Sequence, residues 1–240
     1  MKKYLYMAMF AFVFASCELD NYDAPNAGID GALIDIETGD TVYTEQPDGC
    51  QIRLMDLGYS DPTPLDFWAK ADGTFRNVAL FSGEYSIYPY QGPVFPVDGD
   101  TIKLKGVTKH DFKVTPYLRV KIVDYQLEEG KITLNYTIQR GTPPAGMTIG
   151  SKTISDLQIL TNTQPIVSIY NGGYISDLVV KRTLSRTSDK SLEEKVQTST
   201  VKGLQSGQKY YLRIAALSSC SYNQSLKRYN YSKMIEFVAE

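Results

Sequence analysis

Histidine and tryptophan each occur once in the 240 residues, and cysteine three times. The single histidine, His110, leaves one place for a Ser-His-Asp relay, and no Gly-x-Ser-x-Gly nucleophile turn accompanies it. His110 lies in VTKHDFKV, at the entrance of an expected strand, which suits a structural or exposed ring. One histidine and scattered cysteines give no zinc spacing. Asp98-Gly99-Asp100 supplies too few oxygen ligands for a calcium loop and reads as a turn. There is no glycine-rich phosphate loop. The sequence therefore names no catalytic residue, no metal ligand and no cofactor, and the expectation is a protein that is not an enzyme. A pair of convergent carboxylates for glycoside hydrolysis stays open only because any two of 27 acids can meet in space. An excess of one charge is missing too. With 25 basic against 27 acidic residues and no Lys/Arg cluster, nucleic acid is an unsuitable partner. Cys50 and Cys220 lie far apart and make no disulfide framework, so buried free thiols fit better than a bridge.

Long apolar runs are absent after the first few residues. Leu5 to Ala15 is apolar throughout, behind Lys2 and Lys3. That run is too short for a membrane span, which needs roughly 20 residues. It suits the apolar stretch of an export signal over residues 1–16, which takes no part in the fold. Phe14-Ala15-Ser16-Cys17 puts small residues before a cysteine and resembles a bacterial lipobox. The resemblance implies lipidation of Cys17 and a membrane anchor. Residues 17–27 then carry Glu18, Asp20 and Asp23 with few apolar groups, too little apolar surface to order a segment by burial. An acidic tether behind a lipidated cysteine resembles a Bacteroidetes surface-export signal. It implies an outer-membrane protein exposed at the cell surface, the alternative being a plain linker.

Tyrosine is abundant, with 18 residues. From Gly28 onward, short alternating runs are broken by Gly, Pro, Asn and Asp, and no stretch holds a 3.6-residue period for long. This predicts an all-β chain of two tandem β-sandwiches. In KITLNYTIQ, Ile132, Leu134, Tyr136 and Ile138 share one face. In YLRVKIV, Leu118, Val120 and Ile122 point inward, while Tyr117, Arg119 and Lys121 point out. Thr115-Pro116 marks the expected boundary, with domains over 28–116 and 117–240.

The first domain, with GALIDIETGDTV and DGTFRNVALFSGEYSIYPY, resembles the carboxypeptidase-regulatory-like family, a transthyretin-like sandwich. Asp72-Gly73 would form a tight turn, and Phe75, Leu80, Tyr85 and Ile87 would enter the core. The second, with VKGLQSGQKYYLRIAAL, is similar to fibronectin type III or immunoglobulin-like domains. Leu204 would plug that sandwich and Tyr210 would bond backbone near the preceding turn. Leu212, Ile214 and Ala216 would continue inward, leaving Tyr211 and Arg213 outside. The segment from Gly141 to Pro165 aligns poorly, and its strand order is open. The whole order, with GPVFPVDGDTI and DFKVTPYLRV, resembles a Bacteroidetes lipoprotein family of unknown function. Its members are similar to products of polysaccharide-utilisation loci, which implies SusC- and SusD-type outer-membrane proteins and polysaccharide as partners.

Strand phase points to a binding face. In LDFWAK, Leu65, Phe67 and Ala69 share the apolar side, leaving Trp68 beside Asp66 and Lys70. In GEYSIYPY, Tyr88 and Tyr90 follow Glu84 and Ser86 outward. If the strands ending at Phe67-Trp68 and Ser86-Tyr88 pair directly, the three rings form one platform able to stack on pyranose faces. The alternative is that a domain or partner covers them. Thr41, in Asp40-Thr41-Val42, and Thr101, in Asp100-Thr101-Ile102, resemble the acceptors of Bacteroidetes O-glycosylation. The expectation is an accessory lipoprotein for glycan binding or assembly in polysaccharide uptake; a structural or adhesive lipoprotein that binds protein only is the alternative.

Overall fold

The computed structural model describes residues 23–170, 172–182, 184, 189–220, 222 and 228–240. The expected signal segment, Cys17, Glu18 and Asp20 lie outside the described residues. The described chain is all-β, with one short helix α1 (Asp189–Glu193) and a 3-10 turn at Ser176–Leu178. Alternation of inward and outward side chains gives most strands one buried face, and two facing sheets cover each other's apolar sides.

One sandwich sets β4 (Thr74–Leu80), β1 (Ala27–Asp35) and β7 (Gly106–Lys109) in one sheet, with β8 (Phe112–Val114) beside the second half of β1. The facing sheet runs β3 (Leu65–Trp68), β2 (Gln51–Asp56), β5 (Gly83–Gln91), β6 (Asp100–Leu104). Their shared core includes Ile29, Leu33, Ile52, Leu54 and Leu104. Phe75, Leu80, Tyr85 and Ile87 are buried in it as expected, and Phe75 and Leu80, five residues apart, reach the same core because the β1–β4 register shifts between Asn77 and Leu80. Asp72-Gly73 does turn the chain, with Gly73 at φ +78°, where glycine meets little strain. The turn links strands of opposite sheets, because β3 pairs with β2 and β4 with β1.

The second sandwich faces β13 (Gln197–Lys202), β10 (Lys131–Arg140) and β9 (Leu118–Glu128) against β12 (Val180–Lys181), β11 (Ile154–Asn162), β14 (Lys209–Ser218), β15 (Tyr229–Tyr231) and β16 (Ile235–Val238). Ile132, Leu134, Tyr136 and Ile138 are fully buried in its core. Between Gly141 and Pro165 the only strand is β11, which pairs with β12 and β14. Leu204 is buried, and the Gln205 amide donates to the Tyr210 phenol oxygen at 3.1 Å, the expected contact with the preceding turn.

Two inside-outside expectations fail at the junction between the sandwiches. Tyr117 is buried: it packs edge-on against Phe95 at 4.8 Å, and Phe95 itself enters the second core. Arg213 is 2% exposed. Strand alternation places it on the outer face of its sheet, but the first sandwich and the segment around Val167 cover that face. Periodicity tells which residues share a face and says nothing of what lies over it.

Candidate functional site

The outer face of the sheet β3-β2-β5-β6 gathers the polar and aromatic side chains opposite the first core. β2 lies between β3 and β5: Gln51 pairs with Trp68, and Arg53 pairs with Asp66 on one side and Tyr88 on the other. The expected direct pairing of the Trp68 and Tyr88 strands does not occur. A row Asp66, Arg53, Tyr88 crosses the sheet instead, and Trp68 stands to one side. The β2–β5 register shifts between Gln51 and Ile52, whose partners are Gln91 and Pro89. Tyr90 is the extra residue of this bulge. Bulges re-aim side chains, and here the ring lies against Arg53.

Arg53 donates from Nε and Nη2 to both carboxylate oxygens of Asp66, at 2.7 and 2.6 Å. Its guanidinium carbon sits 3.5 Å from the Tyr90 ring centre, and Tyr88 meets Tyr90 edge to face at 6.3 Å. Two-point charge-assisted bonding together with ring stacking fixes the guanidinium plane. Asp66 is the main reason that the Arg53 pKa is raised. Tyr90 is exposed and Tyr88 half-buried. The cluster therefore presents one pre-oriented ring beside a carboxylate and a guanidinium. Trp68 differs: it is half-buried, and the Arg228 guanidinium, from the second half of the chain, stands 5.2 Å from its ring centre. Of the three predicted rings, Tyr88 and Tyr90 come together while Trp68 lies at the seam with the second sandwich.

That seam holds residues that sequence reasoning did not join. Arg213 donates to the carbonyls of Thr44, Ala71, Val167 and Ser232 at 3.1 to 3.4 Å, and lies 4.1 Å from the Tyr231 ring centre. The Tyr231 phenol donates to Glu45, and the Tyr231 amide to the Tyr43 carbonyl. Burial lowers Arg213 to about 10, still protonated at neutral pH, and raises Tyr231 well above its ordinary value. Asn230 bridges the halves again: its side-chain amide donates to the Pro93 carbonyl and its oxygen accepts the Leu118 amide. At the other end Arg119 grips Asp35 through two nitrogens, one at 2.9 Å, and reaches Glu37 at 3.0 Å. Burial raises the Asp35 pKa, but the Arg119 and Glu37 hydrogen bonds outweigh it and hold the carboxyl below its usual range. Apart from the Glu37 amide beside Asp35, none of these partners is a sequence neighbour, so no local pattern announces them.

The remaining candidates take these places. Thr101 is exposed on β6, and Thr41 is half-buried in the loop after β1. His110 bonds Asp100 at 3.1 Å and meets Phe112 edge-on. Cys50 and Cys220 are free thiols, and burial pushes Cys50 up to about 12, which leaves it an inert neutral thiol. Among the described residues no group of three His, Cys, Asp or Glu side chains could hold a metal ion, and no helix is long and apolar enough to cross a membrane.

No curated protein matches the sequence. Several solved structures share the fold. One is a DUF3823 family protein from Bacteroides uniformis, 23% identical, with a TM-score of 0.75 over 90% of this chain and all of that one. A second Bacteroides uniformis protein, described as a candidate carbohydrate binding protein, is 21% identical with a TM-score of 0.67 over 89% of this chain and 99% of its own. A DUF3823 family protein from Parabacteroides merdae is 19% identical with a TM-score of 0.68 over 90% of this chain and all of its own. Within the sequence itself, residues 27–115 match the N-terminal domain of the protein family of unknown function DUF3823.

Proposed function

We propose that the chain is a non-catalytic, lipid-anchored surface protein that holds glycan on the outer face of its first sandwich. The observation that carries the reading is the Tyr90 ring, exposed at a bulge and held by Arg53 and Tyr88 beside Asp66. A ring fixed before binding loses little entropy when a sugar stacks on it, and the neighbouring carboxylate and guanidinium suit sugar hydroxyls. The Bacteroides uniformis protein described as a candidate carbohydrate binder has this fold, which supports the reading. In this reading the anchor is Cys17, the protein acts as an accessory to SusC- and SusD-type partners at the outer membrane, and Trp68 serves the seam.

Affinity electrophoresis through gels loaded with a broad polysaccharide panel tests the reading. The native protein should be retarded by at least one glycan, and Tyr90→Ala and Tyr88→Ala should lose that retardation with unfolding unchanged. Trp68→Ala should alter thermal unfolding more than retardation. A folded native protein that migrates freely in every gel would leave the protein-binding, adhesive reading, which the covering of Trp68 by Arg228 favours. Anchoring is separate: Cys17→Ala should move the protein out of the membrane fraction, and continued retention there would refute lipidation.

A further inference from the structure

A cleft of about 820 Å³ lies between the sandwiches and is unrelated to the Tyr90 face. One wall is the start of β9, Leu118 to Ile122; the other is Asn230 to Ile235; the loop 38–43 after β1 closes one end. We propose that this cleft is a strand-addition site, in which an extended acidic segment of a partner polypeptide hydrogen-bonds to the free edge of β9.

Backbone alternation supports this. Among the described residues β9 pairs only with β10, so it is an edge strand of its sheet. The Tyr117 carbonyl accepts the Gly141 amide on the β10 side, whereas the Leu118 amide turns the other way and donates to Asn230. Successive residues of a strand direct their backbone groups to opposite sides, so Val120 and Ile122 aim theirs away from β10, as Leu118 does. Asn230 satisfies Leu118 and stops there. Among the described residues, the strand pairings and hydrogen bonds give Val120 and Ile122 no protein partner on the cleft side. The opposite wall leads into β16, which among the described residues is an edge strand too, pairing only with β14. Farther along, the two edges approach: Tyr125 meets Phe237 at 6.4 Å and the Gly130 amide donates to the Glu240 carbonyl. The opening is therefore confined to the end near the first sandwich.

Unpaired amides and carbonyls repeating every second residue match an added β-strand, the mode in which main-chain bonds supply affinity. A sugar chain has no such repeat, and the rings at the cleft are already engaged: Tyr231 stacks with Arg213, and Tyr43 packs half-buried beside it. Charge narrows the occupant. Lys121 and Lys233 stand exposed on opposite walls, and neither joins an ion pair among the described residues. Asp35 is committed to Arg119, which leaves Asp40 as the free carboxylate of the lining.

The test uses the full chain and a labelled octapeptide alternating Val and Glu, read by fluorescence anisotropy and by amide hydrogen exchange. The octapeptide should bind and slow exchange at Val120 and Ile122. An analogue N-methylated at alternate amides, and the Lys121→Glu/Lys233→Glu variant with the parent peptide, should each bind about tenfold more weakly, a loss of about 1.4 kcal/mol. Ile122→Pro removes only a cleft-facing donor, a substitution edge strands tolerate, so it should fold and lose binding. Tyr90→Ala should bind as the native chain does, which separates this site from the glycan face. Absence of octapeptide binding, equal binding of the N-methylated analogue, or binding of polygalacturonate in place of the peptide would each overturn the proposal.

Discussion

The same three kinds of side chain meet twice in this molecule, with opposite surroundings. Arg53 lies over Tyr90 beside Asp66 on an outer sheet face; Arg213 lies over Tyr231, which bonds Glu45, at the junction of the sandwiches. At the first place one carboxylate satisfies the guanidinium and the tyrosine reaches solvent. At the second, four carbonyls take up the guanidinium and the groups are sealed from water. A stacked Arg-Tyr pair at a surface is worth about 1 kcal/mol or less and is free to meet a ligand. Buried, the same pair becomes part of a network whose loss exposes a large desolvation cost. Surroundings, more than residue type, leave one open to solvent and set the other to holding the halves together.

The comparison breaks most sharply at Arg213. Arg213→Met should destabilise by about 3–5 kcal/mol, since it strands four buried carbonyl acceptors and removes the positive charge near Glu45. Calorimetry should show the single unfolding transition separating into two as the sandwiches uncouple. A smaller effect is expected from Tyr210→Phe, which removes the Gln205 bond within the second sandwich; it should cost about 1 kcal/mol in urea unfolding and leave the transition single.

Acid should weaken the junction at Asp35. Its folded pKa lies below the ordinary 3.8, so its pair with Arg119 stabilises fully above that value and is lost as pH falls through the folded value. Urea titrations from pH 6 to pH 3 should therefore show a steeper loss for the native chain than for Asp35→Asn. The smallest stability change belongs to the surface cluster. Arg53→Ala should cost about 1 kcal/mol or less, yet free the Tyr90 ring and change glycan retardation. A loss as large as that of Arg213→Met would mean the outer cluster is structural after all.

Much of each sandwich was legible in order of residues. The alternation through Ile132 to Ile138 specifies a face, because side chains on a strand repeat every two residues whatever the surrounding fold, whereas DGTFRNVAL was legible only through its resemblance to a known sandwich, since a bulge breaks the alternation between Phe75 and Leu80. The same rule correctly sent Tyr88 and Tyr90 outward. It failed at Tyr117 and Arg213, which are outward by phase and buried by the neighbouring sandwich, and it could not foresee β2 between the Trp68 and Tyr88 strands.

The sequence by itself determined the all-β class, the buried sets Phe75, Leu80, Tyr85, Ile87 and Ile132, Leu134, Tyr136, Ile138, and the Tyr210 contact across one turn. The all-β class and the Ile132 set follow from the two-residue period, and the Phe75 set and the Tyr210 contact from the resemblance of those stretches to known sandwich domains. Tertiary structure alone decided that Arg53 lies on Tyr90, that Arg228 shields Trp68, that Glu45 meets Tyr231, and that β9 keeps a free edge beside Lys233. Those relations join residues from tens to nearly two hundred positions apart, where only the packing of one sheet against another brings side chains within bonding distance.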